Sequence, residues 1–162
     1  GLPITVMLPP LSTIAVLDKD IQIISALIFW VLVASLLPSS IDVSFISLTL
    51  ILPVLKTLLV SNSEVVALIK PQFEAGKDQV GKKGIVRDSK VHKQVIEKIV
   101  DFSLQLGYDI EHLTYSPITG GDGNIEFLVH LKWEGSKEQG ESHLTSTIDE
   151  IVQTAHEQLK KN

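Results

Sequence analysis

The chain of 162 residues has no cysteine, a single methionine and an aromatic content of 6%. The absence of cysteine excludes a disulfide framework and thiolate-bound zinc, and it agrees with a reducing cytosol. Glycine is scarce at the front, where Gly1 is the only glycine before Gly76. The later glycines in GKDQVGKKG lack the G-x-x-x-x-G-K-[ST] pattern, which excludes a P-loop.

Charge is absent from residues 21–37, IQIISALIFWVLVASLL. This run of 17 residues lies at the lower limit for a membrane span, and no Lys or Arg cluster flanks it. No basic region opens the chain, so a secretory signal is not expected. We expect a buried core segment here, while an interfacial or membrane segment and a truncated or corrupted N-terminus stay open as alternatives.

Positive charge is concentrated in residues 70–93, which we call the basic segment and which hold seven of the fourteen Lys and Arg residues. With only three acids, the segment carries about +4, whereas the whole chain carries −5. An acidic protein repels polyanions except where its cations gather, so this contrast indicates a polyanionic partner. The segment begins where the apolar run VVALIK ends, and α/β sheets bind ligands in loops at the carboxyl ends of strands.

Strand and helix signals alternate from residue 40 onward. Asp88 and Ser89 are candidate N-caps of a helix that Gly107 ends, and Pro53 should lie near the first turn of an earlier helix or kink it. The order of elements predicts an α/β fold with a mostly parallel sheet and an antiparallel pair at one edge. The predicted strands are residues 41–46, 64–69, 108–116 and 125–133, and the predicted helices are residues 48–59, 88–106 and 145–160.

Three charged residues lie near the ends of otherwise apolar predicted strands: Asp42 in IDVSFI, Lys70 in VVALIK and Glu126 in GNIEFL. Each could simply mark a strand end in solvent. A buried charge is costly unless it is paired, however, and these three could satisfy one another. A lysine held in such a setting can manage a proton from a hydroxyl group. Together with the basic segment, they indicate a site.

The segments that carry these residues resemble the hemolysin A (TlyA) type of ribosomal RNA methyltransferase, within the FtsJ-like 2′-O-methyltransferases. They are IDVSFISL, VVALIKPQFEAGKDQVGKKGIVRDSKVH and SPITGGDGNIEFL, and the similarity covers roughly residues 40–133. The resemblance implies a Rossmann-like sheet that uses S-adenosylmethionine to methylate a ribose 2′-hydroxyl. It further implies a cytoplasmic enzyme whose partner is ribosomal RNA or a ribosomal subunit.

The family uses a Lys-Asp-Lys-Glu tetrad, and three of its members have counterparts here. Asp42 resembles its Asp, Lys70 its second Lys and Glu126 its Glu. In this interpretation Lys70 manages the proton or stabilises the oxyanion, while Asp42 and Glu126 orient it and the ribose. Phosphate contacts are expected from the cations of the basic segment, which are Lys77, Lys82, Lys83, Arg87, Lys90 and Lys93.

The first part of the chain departs from the family's pattern. Its first Lys and its glycine-rich cofactor loop are not recognisable in residues 1–39, and no S4-like RNA-binding domain is found. The segment TIAVLDKD resembles the strand whose terminal acid would hold the cofactor ribose, which makes Asp18 or Asp20 the candidate, beside Asp42. We therefore expect a divergent or incomplete N-terminal part over residues 1–39 and the C-terminal part of the methyltransferase domain over residues 40–162.

Two alternative functions stay open: a membrane-active, hemolysin-like protein that uses residues 21–37 as an anchor, and an inactive RNA-binding remnant. Among the five histidines, His92 is expected to be a solvated surface residue or, less favoured, a phosphate contact. The other four share no spacing with acids that would indicate a metal site, so no metal is expected.

Overall fold

The structure is a computed structural model that describes residues 13–16, 39–42 and 47–159. These ranges form five strands and four α-helices, with two short 3-10 turns at Lys77–Gln79 and Lys82–Gly84. The strands are β1 (Thr13–Val16), β2 (Ser39–Asp42), β3 (Ser63–Ile69), β4 (Asp109–Tyr115) and β5 (Phe127–Trp133). The helices are α1 (Leu48–Leu55), α2 (Pro71–Glu74), α3 (Ser89–Gln105) and α4 (Ile148–Leu159).

The strands form one mixed sheet in the order β1-β2-β3-β5-β4. The β1–β2 and β2–β3 pairings are parallel, whereas the β3–β5 and β4–β5 pairings are antiparallel. Strands β3 and β5 lie at the centre and pair over seven residues each, from Ser63 opposite Trp133 to Ile69 opposite Phe127. The predicted α/β class and the antiparallel pair at one edge are therefore confirmed.

Alternation of side chains along β3 and β5 creates the core face of the sheet. Every second residue of each strand is buried on this face, beginning with Val65 in β3 and Phe127 in β5. Helix α3 adds a stripe at helical spacing that includes Val95, Ile96 and Ile99 to the same buried core, and it packs against α4 and β4. The Tyr108 hydroxyl donates to the Leu52 carbonyl over 2.8 Å, which ties α1 to the same core.

The predicted boundaries of α3 were accurate, and both of its ends carry the expected cap residues. The Asp88 carboxylate accepts from the Lys90 N–H over 2.9 Å as the N-cap of α3, and Gly107 follows the helix with a φ of +96°. Pro53 lies in the last turn of α1 and not near its first turn, and the helix ends two residues later. A proline there removes a backbone donor, and the helix stops soon after it.

The uncharged run of residues 21–37 lies outside the described residues, and so do Asp18 and Asp20. Among the helices that the structure does describe, none is both long and apolar enough to cross a bilayer.

A buried carboxylate fixes the polar connection between β5 and α4. Asp109 is only 1% exposed, accepts from the Glu141 N–H over 2.8 Å and pairs with the Lys137 ammonium over 3.0 Å. Burial raises the pKa of the Asp109 carboxyl, but the Glu141 hydrogen bond and the Lys137 charge outweigh it and hold the pKa below its usual value. The connection also passes so close to β4 that a Cβ at Gly140 would collide with the Tyr108 carbonyl.

We predict that Asp109→Asn destabilises the fold by about 1–3 kcal/mol at neutral pH, since it removes a charged acceptor from a buried site. The folded-state pKa lies below the unfolded value of about 3.9, so this contribution is present above that pH and is lost as the pH falls through the folded-state pKa. Urea unfolding at pH 7 and at steps down to pH 3 should show the gap between the two proteins closing in acid. Glu134→Gln, which removes the exposed partner of Lys137, should have a smaller effect; an equal loss from both variants would contradict the assignment.

Candidate active site

The predicted catalytic residues lie along one edge of the sheet, the edge that is formed by strand ends. Strands β1, β2 and β3 run parallel, so their carboxyl ends lie at the same edge, and the antiparallel β5 begins there. In register, Val16 is the partner of Asp42 at the ends of β1 and β2, and Ile41 is the partner of Ala67. The backbone of Asp42 is thereby placed at the carboxyl end of the strand next to β3.

Lys70 and Glu126 occupy matching positions on neighbouring strands. Ile69 is opposite Phe127, and Lys70 continues β3 with an extended backbone at φ −106° and ψ 99°. On the other side of β5 the pairing also continues, because the Ser116 N–H donates to the Glu126 carbonyl over 2.8 Å. If the β3–β5 register is continued by one residue, Lys70 lies opposite Glu126. Side chains at directly opposite positions of neighbouring strands are close enough to interact. Glu126 is buried, with 7% exposure, and Lys70 is half-buried.

Gln72 connects the turn after Lys70 to Glu126. The Gln72 amide nitrogen donates to Glu126 Oε1 over 3.2 Å. Close packing shields this carboxylate on another side, since a Cβ at Gly120 would lie 2.6 Å from the same oxygen. A Cβ at position 120 would therefore make the Glu126 carboxylate shift from this position.

Glu74 ties the same turn to helix α1. Its carboxylate accepts from the Leu48 N–H over 2.7 Å and from the Ser47 hydroxyl over 2.6 Å, at the first turn of α1. A carboxylate at a helix N-terminus satisfies backbone donors and interacts favourably with the helix dipole. The Lys98 ammonium of α3 donates to the Glu74 carbonyl over 3.0 Å. Within KPQFE, Gln72 and Glu74 therefore hold the turn that follows Lys70 from two directions.

Asn124 attaches the basic segment to the same edge. It is only 2% exposed, its amide oxygen accepts from the Val86 N–H over 3.0 Å, and its amide nitrogen donates to the Gly84 carbonyl over 2.9 Å. Asn124 lies two residues before Glu126, so the cations around position 84 are fixed relative to the buried carboxylate.

The cations of the basic segment differ in their surroundings. Lys77, Lys82, Lys83, Arg87 and Lys90 are exposed, and none of these side chains makes a salt bridge to a described residue. Lys93 instead pairs with Asp149 over 2.9 Å, and this hydrogen bond raises the pKa of the Lys93 ammonium. Its charge is therefore partly compensated within the chain. Lys83 holds a left-handed backbone with a φ of +65°, which is unfavourable for a residue with a Cβ.

The expectation for His92 was wrong. His92 is fully buried, so it is neither a solvated residue nor a phosphate contact. One ring nitrogen lies 3.1 Å from the Val86 carbonyl, and the other lies 2.7 Å from His156 of α4. The ring also meets Phe127 edge-on, with centroids 5.6 Å apart. Because its Nε2 faces a carbonyl, that nitrogen must carry the proton, and His92 joins the basic segment to α4.

The arrangement places a lysine, an opposed carboxylate and the attachment point of the basic segment at one edge of the sheet. A lysine beside a carboxylate can take a proton from a hydroxyl or stabilise the oxyanion that remains, and exposed cations can bind phosphates. In the described part of the chain no group of three or more His, Asp or Glu side chains is placed to hold a metal ion.

Gln72 and Asn124 were not predicted as site residues. Both are uncharged, and each lies within two positions of a predicted catalytic residue, in KPQFE and GNIEF. The sequence signal that could have identified them is an amide side chain next to the end of an apolar strand. Their partners, Glu126 and Val86, lie 54 and 38 residues away and cannot be derived from local spacing.

Comparison with known proteins identifies the family. A sequence model described as FtsJ-like methyltransferase matches residues 39–133, more than half of the chain. The chain belongs to the FtsJ-like methyltransferase family, which confirms the resemblance carried by the three motifs.

Its relatives are named as rRNA methyltransferases and hemolysins. The chain is 57% identical over 123 residues to YqxC of Bacillus subtilis, which is named as an rRNA methyltransferase, with 76% of this chain and 44% of the relative covered. It is 31% identical over 111 residues to the 16S/23S rRNA (cytidine-2′-O)-methyltransferase TlyA of Mycobacterium tuberculosis, with 68% and 41% covered. A solved structure described as a hemolysin from Streptococcus thermophilus is 49% identical, with a TM-score of 0.70 and 76% and 44% covered. The chain thus spans a little under half the length of these relatives.

We predict that Asn124→Ala releases the basic segment from the edge. The Val86 N–H would lose its acceptor, at a cost of about 1–3 kcal/mol, and should exchange with solvent much faster than in the parent protein. Hydrogen exchange followed by NMR measures this directly, with the Val129 amide in the centre of the sheet as an internal control. Asn124→Asp retains an acceptor for Val86 but no donor for Gly84, so its effect on Val86 should be smaller. Unchanged protection at Val86 in Asn124→Ala would contradict the role of Asn124.

Proposed function

We propose that this chain forms the catalytic half of a methyltransferase that modifies a ribose 2′-hydroxyl of ribosomal RNA. The observation that carries the proposal is the register that sets Lys70 opposite Glu126, at the edge to which Asn124 fixes the basic segment. The family supports the reaction class, and the name of the Mycobacterium tuberculosis relative supports the 2′-oxygen as acceptor. An rRNA substrate would place the protein in the cytoplasm.

In this mechanism the chain's residues align the hydroxyl and manage its proton. Lys70 is proposed either to accept the proton of the 2′-hydroxyl as the neutral amine or to stabilise the developing oxyanion as the ammonium, opposite the Glu126 carboxylate in the extended register. Glu126 orients the Lys70 side chain and is itself held by Gln72 over 3.2 Å. Asp42, at the neighbouring strand end, is proposed as the second acid of the site. Fixed geometry of this kind contributes to rate because the oxygen is held in line for displacement.

S-adenosylmethionine is proposed as the methyl donor, and when bound it supplies a methyl group activated by a sulfonium. The parallel register fits such a ligand, because β1 and β2 end level at Val16 and Asp42, and nucleotide-like cofactors bind outside the carboxyl ends of parallel strands. In this proposal the sheet is Rossmann-like, and Asp18, Asp20 and Asp42 would hold the polar groups of the cofactor.

The exposed cations of the basic segment are proposed to bind RNA phosphates. Lys77, Lys82, Lys83, Arg87 and Lys90 are exposed, and Asn124 holds the backbone between Lys83 and Arg87 through Gly84 and Val86. Phosphate contacts of this type position a substrate without reading its sequence. Lys93 is proposed as a weaker contributor, because Asp149 already compensates its charge.

We predict that Lys70→Ala lowers methyl transfer by about 10²- to 10⁴-fold, the usual contribution of a positioned acid or base, while RNA affinity changes little. The measurement is protection of the modified ribose against alkaline cleavage after incubation with S-adenosylmethionine and ribosomal subunits. Lys70→Arg separates two roles, because guanidinium does not release its proton: recovery by Arg indicates charge stabilisation, and no recovery indicates proton transfer. Lys132→Ala, at the opposite end of β5, is the matched control. Full turnover in Lys70→Ala would remove Lys70 from the mechanism.

We also predict that charge reversal at Lys82 and Lys83 weakens RNA binding and flattens its dependence on salt. Removing one cation from a phosphate should reduce the slope of log affinity against log salt by about 1. Fluorescence anisotropy with an rRNA fragment over a salt series provides both quantities. Lys132→Glu should leave the slope unchanged, because this cation lies away from the basic segment. If the double variant had the affinity and slope of the parent protein, the basic segment would not be the RNA-binding surface.

A further inference from the structure

One buried polar atom near the proposed site has no hydrogen-bond partner. Within the described part of the chain, the Gln72 amide oxygen is the one buried side-chain N or O atom that lacks a partner. Buried polar atoms are nearly always paired, because leaving a carbonyl without a donor costs free energy that folding must offset. The other buried amide at this edge, Asn124, satisfies both of its ends. Gln72 therefore differs from its neighbour in a way that calls for a physical reason.

The orientation of the Gln72 amide follows from its surroundings. Its nitrogen lies 3.2 Å from Glu126 Oε1 and donates to that oxygen. Rotating the amide by half a turn would bring its carbonyl against a carboxylate oxygen, and two acceptors at that distance repel each other. The atom without a partner is therefore the carbonyl oxygen of Gln72. The hydrogen bond that the amide nitrogen donates to Glu126 holds this oxygen in place. It is an acceptor in need of a donor.

The Gln72 carbonyl lies close in the chain to Lys70, the residue proposed to act on the substrate hydroxyl. Gln72 lies two residues after Lys70, in the short helix α2 that begins at Pro71 directly beyond the carboxyl end of β3. Its side chain spans from that turn to Glu126, the residue opposite Lys70. A substrate hydroxyl that reaches Lys70 would bring the rest of its nucleotide beside α2. Nucleotides carry suitable donors in the ribose hydroxyl and in the exocyclic amine of the base.

We propose that Gln72 is a substrate-binding residue whose carbonyl accepts a hydrogen bond from the target nucleotide, while its amide nitrogen holds Glu126. The inference rests on the proposed function and extends it to a residue outside the tetrad. The donor is an N–H or O–H of the nucleotide, with the ribose hydroxyl and the base amine as its two sources. The bond to Glu126 makes the acceptor rigid, so discrimination follows from geometry that is set before the substrate arrives.

The test is a cycle that combines a protein change with a ligand change. The probes are short oligocytidylate RNA, oligouridylate RNA, which lacks the base amine, and oligodeoxycytidylate, which lacks the 2′-hydroxyl. Affinities of the parent protein and of Gln72→Met are compared for all three by anisotropy. Met has similar length and no acceptor that could replace the amide. A cycle isolates the contact because it cancels effects that do not involve both partners.

We expect Gln72→Met to weaken binding of oligocytidylate RNA roughly fivefold to tenfold, the effect of about one hydrogen bond. The parent protein should prefer this probe over one of the other two, and the preference should disappear in the variant. A loss of discrimination against oligouridylate would identify the base amine as the donor, and a loss of discrimination against oligodeoxycytidylate would identify the hydroxyl.

Two further variants serve as controls for misfolding and for nonspecific effects of the substitution. Gln72→Asn has a shorter amide that cannot reach both partners, and it should lose discrimination in the same way if Gln72→Met fails to fold. Gln153→Met, an exposed glutamine of α4, should match the parent protein. The inference fails if the Gln72 variants bind all three probes as the parent does, or if they lose affinity equally for all three. If the parent protein binds none of the probes, the proposed function fails together with the inference.

Discussion

The antiparallel register between β3 and β5 is the constraint on which the rest of the site depends. Side chains alternate between the two faces of a strand, so a shift by one residue would turn the buried set of either strand to the opposite face. Both strands bury every second residue, and this fixes Ile69 opposite Phe127. The pairing of two apolar residues in the core thereby sets the pairing of Lys70 and Glu126 one step beyond it, where the polar chemistry begins.

The loops at this edge acquire their positions from that register through long-range polar contacts. Glu126 receives Gln72 from the turn after β3, and Asn124, two residues earlier, receives the backbone around Val86. Glu74 then caps α1 across the same turn. Each contact is buried or half-buried, and breaking a hydrogen bond there costs more free energy than at the surface. The basic segment is exposed at its cations but held at its backbone, which suits a surface that must present charge in a fixed place.

Sequence reasoning succeeded where a local pattern has a physical cause. Apolar runs of strand length identified β3 and β5, and Asp88 and Gly107 marked the ends of α3, because capping depends on neighbouring residues. It failed for His92, which lies among charged and polar residues at the start of α3. The helical spacing from His92 to Ile96 and Ile99 does place it on the buried stripe of that helix, so a signal existed. Its partner, 64 residues away, had no local signal.

The buried polar side chains of this fold differ in whether their acceptors are paired within the chain. Asp109, at the other end of the sheet, and Asn124 each use their acceptors within the chain. The Gln72 carbonyl has no such partner. An apolar side chain at this position would avoid the cost of an unpaired acceptor but would leave Glu126 without its amide donor. A glutamine that holds the carboxylate with one end and keeps the other end unpaired therefore agrees with the proposed substrate contact better than with a purely structural role.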